Sequence, residues 1–365
     1  MLKFFPLVWA TLWRKRTRTI LTLLSVVVAF LLFGMLEAVN VAFSRGANYG
    51  DDDRLVVSGK YSFTEILPLS YLQRITSIPG VKQVTHASWF GGVYQNERNF
   101  FPQFAVEADN YLDVYDDFVV DPKQKDAFIH TRTGALAGRG LAERFGWKVG
   151  DKIPIQATIW PKVDGSNAWD FDLVGLIDPK TEADRAQTDV LLFHYDYFDE
   201  ARQFGKSYVG WYVVKVNNPA QSAQVAAAID KEFANSSRET RADSEKSFNK
   251  AFIKQMGDIE LIISSILGAV FFTLLFLTGN TMMQSVRDRV PELAVLKTIG
   301  FSDLGVLALV LAESLMLCLL AALIGLGLAD LMMPVLAAHM PGLHMDPVVY
   351  ASGGGVAVLL ALVVG

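Results

Sequence analysis

The sequence predicts an α-helical membrane protein with four transmembrane helices, arranged one plus three, and a large α/β extracytoplasmic domain inserted after the first. Three observations carry that expectation. The 365 residues are 52% hydrophobic and 19% charged, with a mean hydropathy of +0.29; a soluble globular domain is nearer a quarter charged. Four apolar segments reach or approach the roughly 20 residues that a helix needs to cross a bilayer. The charge is uneven: the net charge is −5, yet residues 1–19 carry Lys3, Arg14, Lys15, Arg16 and Arg18 and no acid. This composition excludes a disordered protein and argues against an ordinary cytosolic one. The asymmetry fits membrane orientation better than nucleic-acid binding. A single thiol, Cys318, leaves no internal disulfide, no cysteine-rich zinc site and no CxxC pair.

Residues 1–18 place Phe5, Trp9 and Trp13 at every fourth position, with Phe4, Val8 and Leu12 beside them and a basic end. That is the period of an amphipathic helix lying on the cytoplasmic membrane face. Residues 19–43 form the first span. Its apolar run from Ile20 to Leu36 exceeds the core of a signal peptide, and no A-x-A site follows, so it reads as an uncleaved anchor. The second span is 258–283. The third is 304–336, with Pro334 ending or kinking it. The fourth is 348–365, after a short outer loop at 337–347. No charged stop follows that last run, and a natural chain continuing into a basic tail is expected. The basic N-terminus belongs in the cytoplasm. Arg287, Arg289 and Lys297, between the second and third spans, fall on the same side if the chain crosses once and returns.

Residues 44–257 separate the first two spans, enough for one large domain or two small ones. Arg54–Ser58, Gln83–His86 and Trp211–Val216 read as strands. Pro68–Ser77 and Pro219–Asn235 read as helices, the second with Val225, Ala228 and Ile229 on one face. A division into a sub-domain built from both ends and an inserted one near 105–195 is expected. The domain carries no G-x-x-x-x-G-K-[ST], no H-E-x-x-H and no G-x-S-x-G. His86, His130 and His194 stand in unrelated local contexts and read as structural or surface residues. The run Asp51-Asp52-Asp53 lacks an EF-hand pattern and reads as a solvated turn. The Met332, Met333, His339, Met340, His344 and Met345 constellation has copper-type ligands but no repeated Met-x-x-Met, so metal binding is not expected.

The informative stretch is Val286-Arg-Asp-Arg-Val-Pro-Glu-Leu-Ala-Val-Leu-Lys-Thr-Ile-Gly-Phe-Ser302. It predicts a short helix within residues 284–303. Asp288 is its N-cap, with Arg289 beside it and Pro291 and Glu292 in the first turn. Leu293, Leu296 and Ile299 form an apolar stripe. Lys297 complements the C-terminus, Gly300 ends the helix and Ser302 caps the next span. Docking into a partner's groove and a plain connecting helix are both open readings. In the third span Ala321, Gly325 and Ala329 recur every fourth residue, a spacing that suits close helix approach within one subunit or a dimer seam. Glu313 in the third span and Asn280 in the second read as intramembrane hydrogen-bonding groups, and Glu37 as one that reaches toward water.

The pattern R-x-x-E-L-A-V-L-K-T-I-G-F-S from Arg289 resembles the cytoplasmic motif of MacB/FtsX-type ABC transporter permeases, also called type VII. Trp9–Thr19 is similar to that family's leading helix. Ile78-Pro-Gly-Val81 and Leu141–Asp151 resemble its periplasmic core domain, and Glu313-Ser314 with the Gly- and Ala-rich third span resembles its membrane domain. The missing basic tail and the Val-Pro pair before Glu292 depart from the pattern.

The resemblance implies a non-catalytic permease subunit in the bacterial inner membrane, its large domain in the periplasm. It would bind no cofactor itself. ATP and Mg would sit in separate ABC ATPase subunits, two of which would pair with two copies of the permease or a copy and a paralogue. ATPase closure would move the outer domain, termed mechanotransmission, with residues 288–300 taking the stroke. A membrane-fusion adaptor or a periplasmic client is a further implied partner. The alternatives are a membrane-anchored extracytoplasmic sensor, which would need a cytoplasmic signalling domain, and an envelope enzyme, for which no catalytic set is found.

Overall fold

The computed structural model describes residues 16–48, 50–97, 99, 101–181, 185–256, 259–337 and 343–364. The chain forms two compact units: Gly46–Met256, and Met1–Arg45 together with Gly257–Gly365. The expected amphipathic helix lies outside the described residues apart from its last three, which begin helix α1 (Arg16–Asn48). His339 and Met340 of the copper-type constellation also lie outside them.

Gly46–Met256 is built from short strands and helices in the order β1 (Arg54–Gly59), β2 (Leu67–Pro68), α2 (Tyr71–Thr76), β3 (Val81–Trp89), β4 (Gly92–Val93), β5 (Gln103–Val106), β6 (Phe118–Val120), α3 (Pro122–His130), β7 (Gly134–Gly138), α4 (Arg139–Phe145), β8 (Lys152–Ala157), β9 (Ala168–Pro179), β10 (Leu191–His194), α5 (Tyr195–Ala201), β11 (Tyr208–Val209), β12 (Trp211–Val216), α6 (Ser222–Glu232), β13 (Thr240–Ser244) and α7 (Glu245–Met256). Single turns of helix stand at Tyr111–Val114 and Arg185–Thr188. Local chemistry sets many of these bounds. Asp121 caps α3, accepting from the Lys123 N–H at 2.9 Å, with Pro122 in the first turn. Strand β8 alternates exposed and buried residues along its length, the mark of one covered face.

Eleven strands form one mixed sheet in the order β13-β1-β12-β3-β5-β10-β7-β9-β8-β4, with β6 paired to β9. Strands from both ends of the domain (β13, β1, β12, β3) join the inserted ones through the antiparallel β3–β5 pair, Trp89 opposite Phe104. The expected division into two sub-domains is therefore not what forms: the insertion continues the same sheet, and both buried clusters of the domain, one holding Leu55, Phe90 and Trp169 and the other Ala87, Phe128 and Val213, draw on the ends and the insertion together. Only Phe90 and Gly91 separate β3 from β4, so the path through β5, β10, β7, β9 and β8 returns to its own first strand. Phe90 stands at the centre of the first cluster, its ring 5.4 Å from Trp169, 6.0 Å from Phe171, 5.2 Å from Phe193 and 6.0 Å from Phe198. On α6, Val225 and Ile229 are buried, but Ala228 is exposed and Ala226 takes its place against the core. The Val225–Ile229 axis of the face is as expected; only its flank differs, because Ala is small enough to sit on either side.

The other unit contains α1, α8 (Ile259–Thr298), α9 (Asp303–Ala337) and α10 (Pro347–Val364). Among the described residues, four stretches are long and apolar enough to cross a membrane: Thr19–Ser44, Leu261–Asp288, Asp303–Ala337 and Pro347–Val364. Pro334 does not end α9; three more helical residues follow it. A proline removes one backbone bond, here to the Asp330 carbonyl, and the rest of the turn remains. Val26 and Phe30 of α1, Leu274 and Met282 of α8, Leu317 and Ala321 of α9, and Ala357 and Leu360 of α10 share one buried cluster.

Candidate functional site: the turn between α8 and α9

Residues 284–303 do not form a separate capped helix. Residues 284–298 are the distal part of α8, one unbroken helix of 40 residues with Pro291 inside it, and 299–302 form the turn into α9. Asp288 is a helix-interior residue and not an N-cap. The reason is local: between Met283 and Arg289 no glycine interrupts the chain, and Pro291 costs only the bond to the Arg287 carbonyl. At 1.5 Å per residue α8 is about 60 Å long, and it extends roughly 20 Å past its apolar run at Met283.

The end of α8 follows the sequence closely. Gly300 has φ +106°, a conformation that a side chain resists. Its N–H donates to Lys297 O and the Phe301 N–H donates to Leu296 O, both at 3.1 Å. This pair of bonds is the Schellman arrangement. Ser302 then caps α9, its Oγ accepting the Gly305 N–H at 3.2 Å. Lys297 Nζ lies 2.5 Å from Asp303 Oδ1 across the turn. Both groups are exposed, so this bridge contributes at most about 1 kcal/mol, and the backbone caps fix the turn.

The turn presents apolar side chains. Val290, Val295, Ile299 and Leu304 are between 56% and 78% exposed. Pro291 is exposed, and Glu292 and Leu296 are half-buried. The side chains of Arg289 and Leu293 lie outside what the structure describes. Val290, Val295 and Leu304 were not singled out in the sequence, because a count of the 293/296/299 stripe passes over them.

The intramembrane candidates divide. Ala321, Gly325 and Ala329 are all buried within the chain. A Cβ at Gly325 would lie 2.6 Å from Val27 O and 2.7 Å from Phe30 Cβ, so α1 occupies this seam. Gly34 of α1 meets Leu326 and Ala329 in return. Glu313 and Ser314 are buried, and Ser314 Oγ donates to Ala361 O at 3.0 Å, joining α9 to α10. Asn280 is exposed and is not interior glue. Glu37 accepts from Asn40 at 3.3 Å. Asp330, an acid late in the third apolar run, is exposed and interacts with the Tyr350 side chain; it was overlooked in the sequence.

In the other unit His86 is buried beside the Tyr195 ring at 4.5 Å, and burial pushes it down to about 4. His194 bonds the Phe128 carbonyl, and His130 is on the surface. These three serve different local contacts. Asp51, Asp116 and Asp117 bring carboxylate oxygens within 4.8 Å of one another, but Arg54 and Lys215 already face them.

The model of the MacB-like periplasmic core domain matches residues 19–232, and that of the FtsX-like permease C-terminal region matches residues 263–365. The chain belongs to the MacB/FtsX family of permeases, the membrane subunits of ABC transporters, and is a membrane protein with an extracytoplasmic domain. Among solved structures it is similar to the extracellular domain of the noncanonic ABC-type transporter YknZ from Gram-positive bacteria, at 12% identity and a TM-score of 0.38, covering 52% of this chain and 98% of that one. It is also similar to the periplasmic region of MacB from Actinobacillus actinomycetemcomitans (13%, 0.37, 58% and 94%) and to a permease-protein domain from Porphyromonas gingivalis (13%, 0.34, 55% and 96%). No curated protein matches it. Permeases of this family generally partner with ABC ATPases.

Proposed function

We propose that this permease converts ATP hydrolysis by separate ATPase subunits into movement of its Gly46–Met256 domain, in export, extraction or another envelope process. The ATPases hold ATP and Mg; this chain binds no cofactor and catalyses no reaction. It resides in the inner membrane with the large domain in the periplasm, beside a second copy or a paralogue. Asp288–Gly300 is the segment that the ATPase engages. The observation that carries this reading is the continuity of α8: a single rod joins the candidate span to a rigidly capped end that exposes Val295 and Ile299. A helix without a break passes on displacement and tilt, whereas a flexible loop would absorb them.

The experiment is reconstitution of the full chain with its ATPase in lipid nanodiscs. Turnover should rise when the wild-type permease is added and should lose most of that stimulation with Val295→Asp plus Ile299→Asp. Undiminished stimulation by the double variant would remove residues 288–300 from the docking role.

A further inference from the structure

Arg54, the first residue of β1, is 1% exposed. A guanidinium that deep needs its donors matched, and its planar fork suits carboxylates. Nε donates to Glu245 Oε2 at 2.7 Å, Nη1 to Asp117 Oδ1 at 2.9 Å and Nη2 to Asp117 Oδ2 at 3.2 Å. Nη1 is also 3.0 Å from Asp51 Oδ2, and the group lies over the Tyr115 ring at 4.7 Å. These partners come from three places. Asp51 and Arg54 belong to the short segment after α1. Glu245 is the first residue of α7, which only two residues separate from α8. Asp117 precedes β6, in the inserted half of the sheet.

Glu245 adds to the convergence. It is buried, and it accepts the Asp51 N–H at 3.3 Å. Gly50, at φ +129°, leaves no room for a side chain: a Cβ there would stand 2.9 Å from Glu245 Cβ. At the surface, Lys246 Nζ meets Asp52 Oδ1 at 2.7 Å.

We infer that Arg54 is a positioning residue: it fastens the chain leaving α1 to the chain approaching α8, and both to the far half of the sheet. Either passage, when displaced, then carries the whole domain. The mechanical use of this joint rests on the function proposed above; the joint itself does not. Lysine, a single point charge, cannot hold Glu245 and Asp117 at once in this geometry.

The test is hydrogen–deuterium exchange on the full chain in nanodiscs. It compares wild type, Arg54→Lys, Arg54→Met, and Arg54→Met with Asp52→Cys and Lys246→Cys bridged by a short bis-maleimide. In Arg54→Met, amides of residues 50–58 and 240–248 should exchange at least roughly tenfold faster, as a local opening does, while β8 and β10 keep their native rates. Arg54→Lys should fall between, and the bridge should restore wild-type protection. If Arg54→Met leaves those segments unchanged, the inference is wrong. If Arg54→Met unfolds the whole domain, restoration by the bridge supports the joint, and failure to restore overturns it. A domain that keeps this protection pattern yet does not move under ATP turnover refutes the mechanical reading alone.

Discussion

Replacing Gly325 with alanine should loosen the packing of α1 on α9. The new methyl carbon would stand 2.6 Å from Val27 O, 2.7 Å from Phe30 Cβ and 3.0 Å from Leu31 N. Carbon contacts are relaxed at about 3.5–4.0 Å, so the overlap approaches roughly 1 Å. Two of the three atoms are α1 backbone, which cannot rotate aside, so the helices must part and the neighbouring Ala321 and Ala329 contacts weaken with them. Overpacking of this kind costs about 1–3 kcal/mol, and the rigid neighbours place it toward the upper end. Cys318, fully buried on the same helix, is the reporter: its reaction with a maleimide during heating reads the opening of this unit. Gly325→Ala should expose it roughly 2–8 °C earlier than wild type. Gly327→Ala is the control, because nothing lies within 4 Å of a Cβ there. If Gly325→Ala opens at the wild-type temperature, or Gly327→Ala opens as early, the seam between α1 and α9 is not as described.

His86 supplies a pH dependence. Its folded value of about 4 lies below the ordinary 6.5 because burial disfavours the charged ring, and Asp199 offsets this only in part. The unfolded chain therefore binds more protons between those values, and stability falls as pH drops from 6.5 through 4. The full loss is about 3 kcal/mol. Chemical denaturation across that range should show it, and His86→Phe should flatten the slope; an unchanged slope would contradict the assignment. At the turn, Gly300→Val forces a branched side chain into φ +106°, a strain of about 1–3 kcal/mol. The Gly300 and Phe301 amides should lose protection in hydrogen exchange while mid-α8 amides keep theirs.

The sequence announced whatever depended on neighbouring residues. Gly300 and Ser302 were legible as stop and start signals because each acts within three or four positions. The 321/325/329 spacing was visible as well, but its partner was not: spacing marks a smooth surface without saying which helix lies on it, and Val27 and Phe30 carry no distinguishing mark. The continuity of α8 was hidden by a conflict of local cues, since Asp288, Pro291 and Glu292 form a good helix start. An already formed helix outweighs such a cue. Asp51 and Glu245 looked like ordinary charged residues because the group that explains them, Arg54, lies 191 positions from Glu245. Asp330 escaped notice in the same apolar run that had yielded Glu313, although an acid there is a signal that could have been used.

The central claim, that a motor at the capped end of α8 moves the Gly46–Met256 domain, is tested most directly by pulsed electron–electron resonance between spin labels at Val163 in paired copies of the full chain, with the ATPase bound. Val163 is exposed, so a label there perturbs little. The distance should change on addition of ATP and Mg, and Val295→Asp with Ile299→Asp should abolish that change. A distance that stays constant while the bound ATPase turns over would contradict the account.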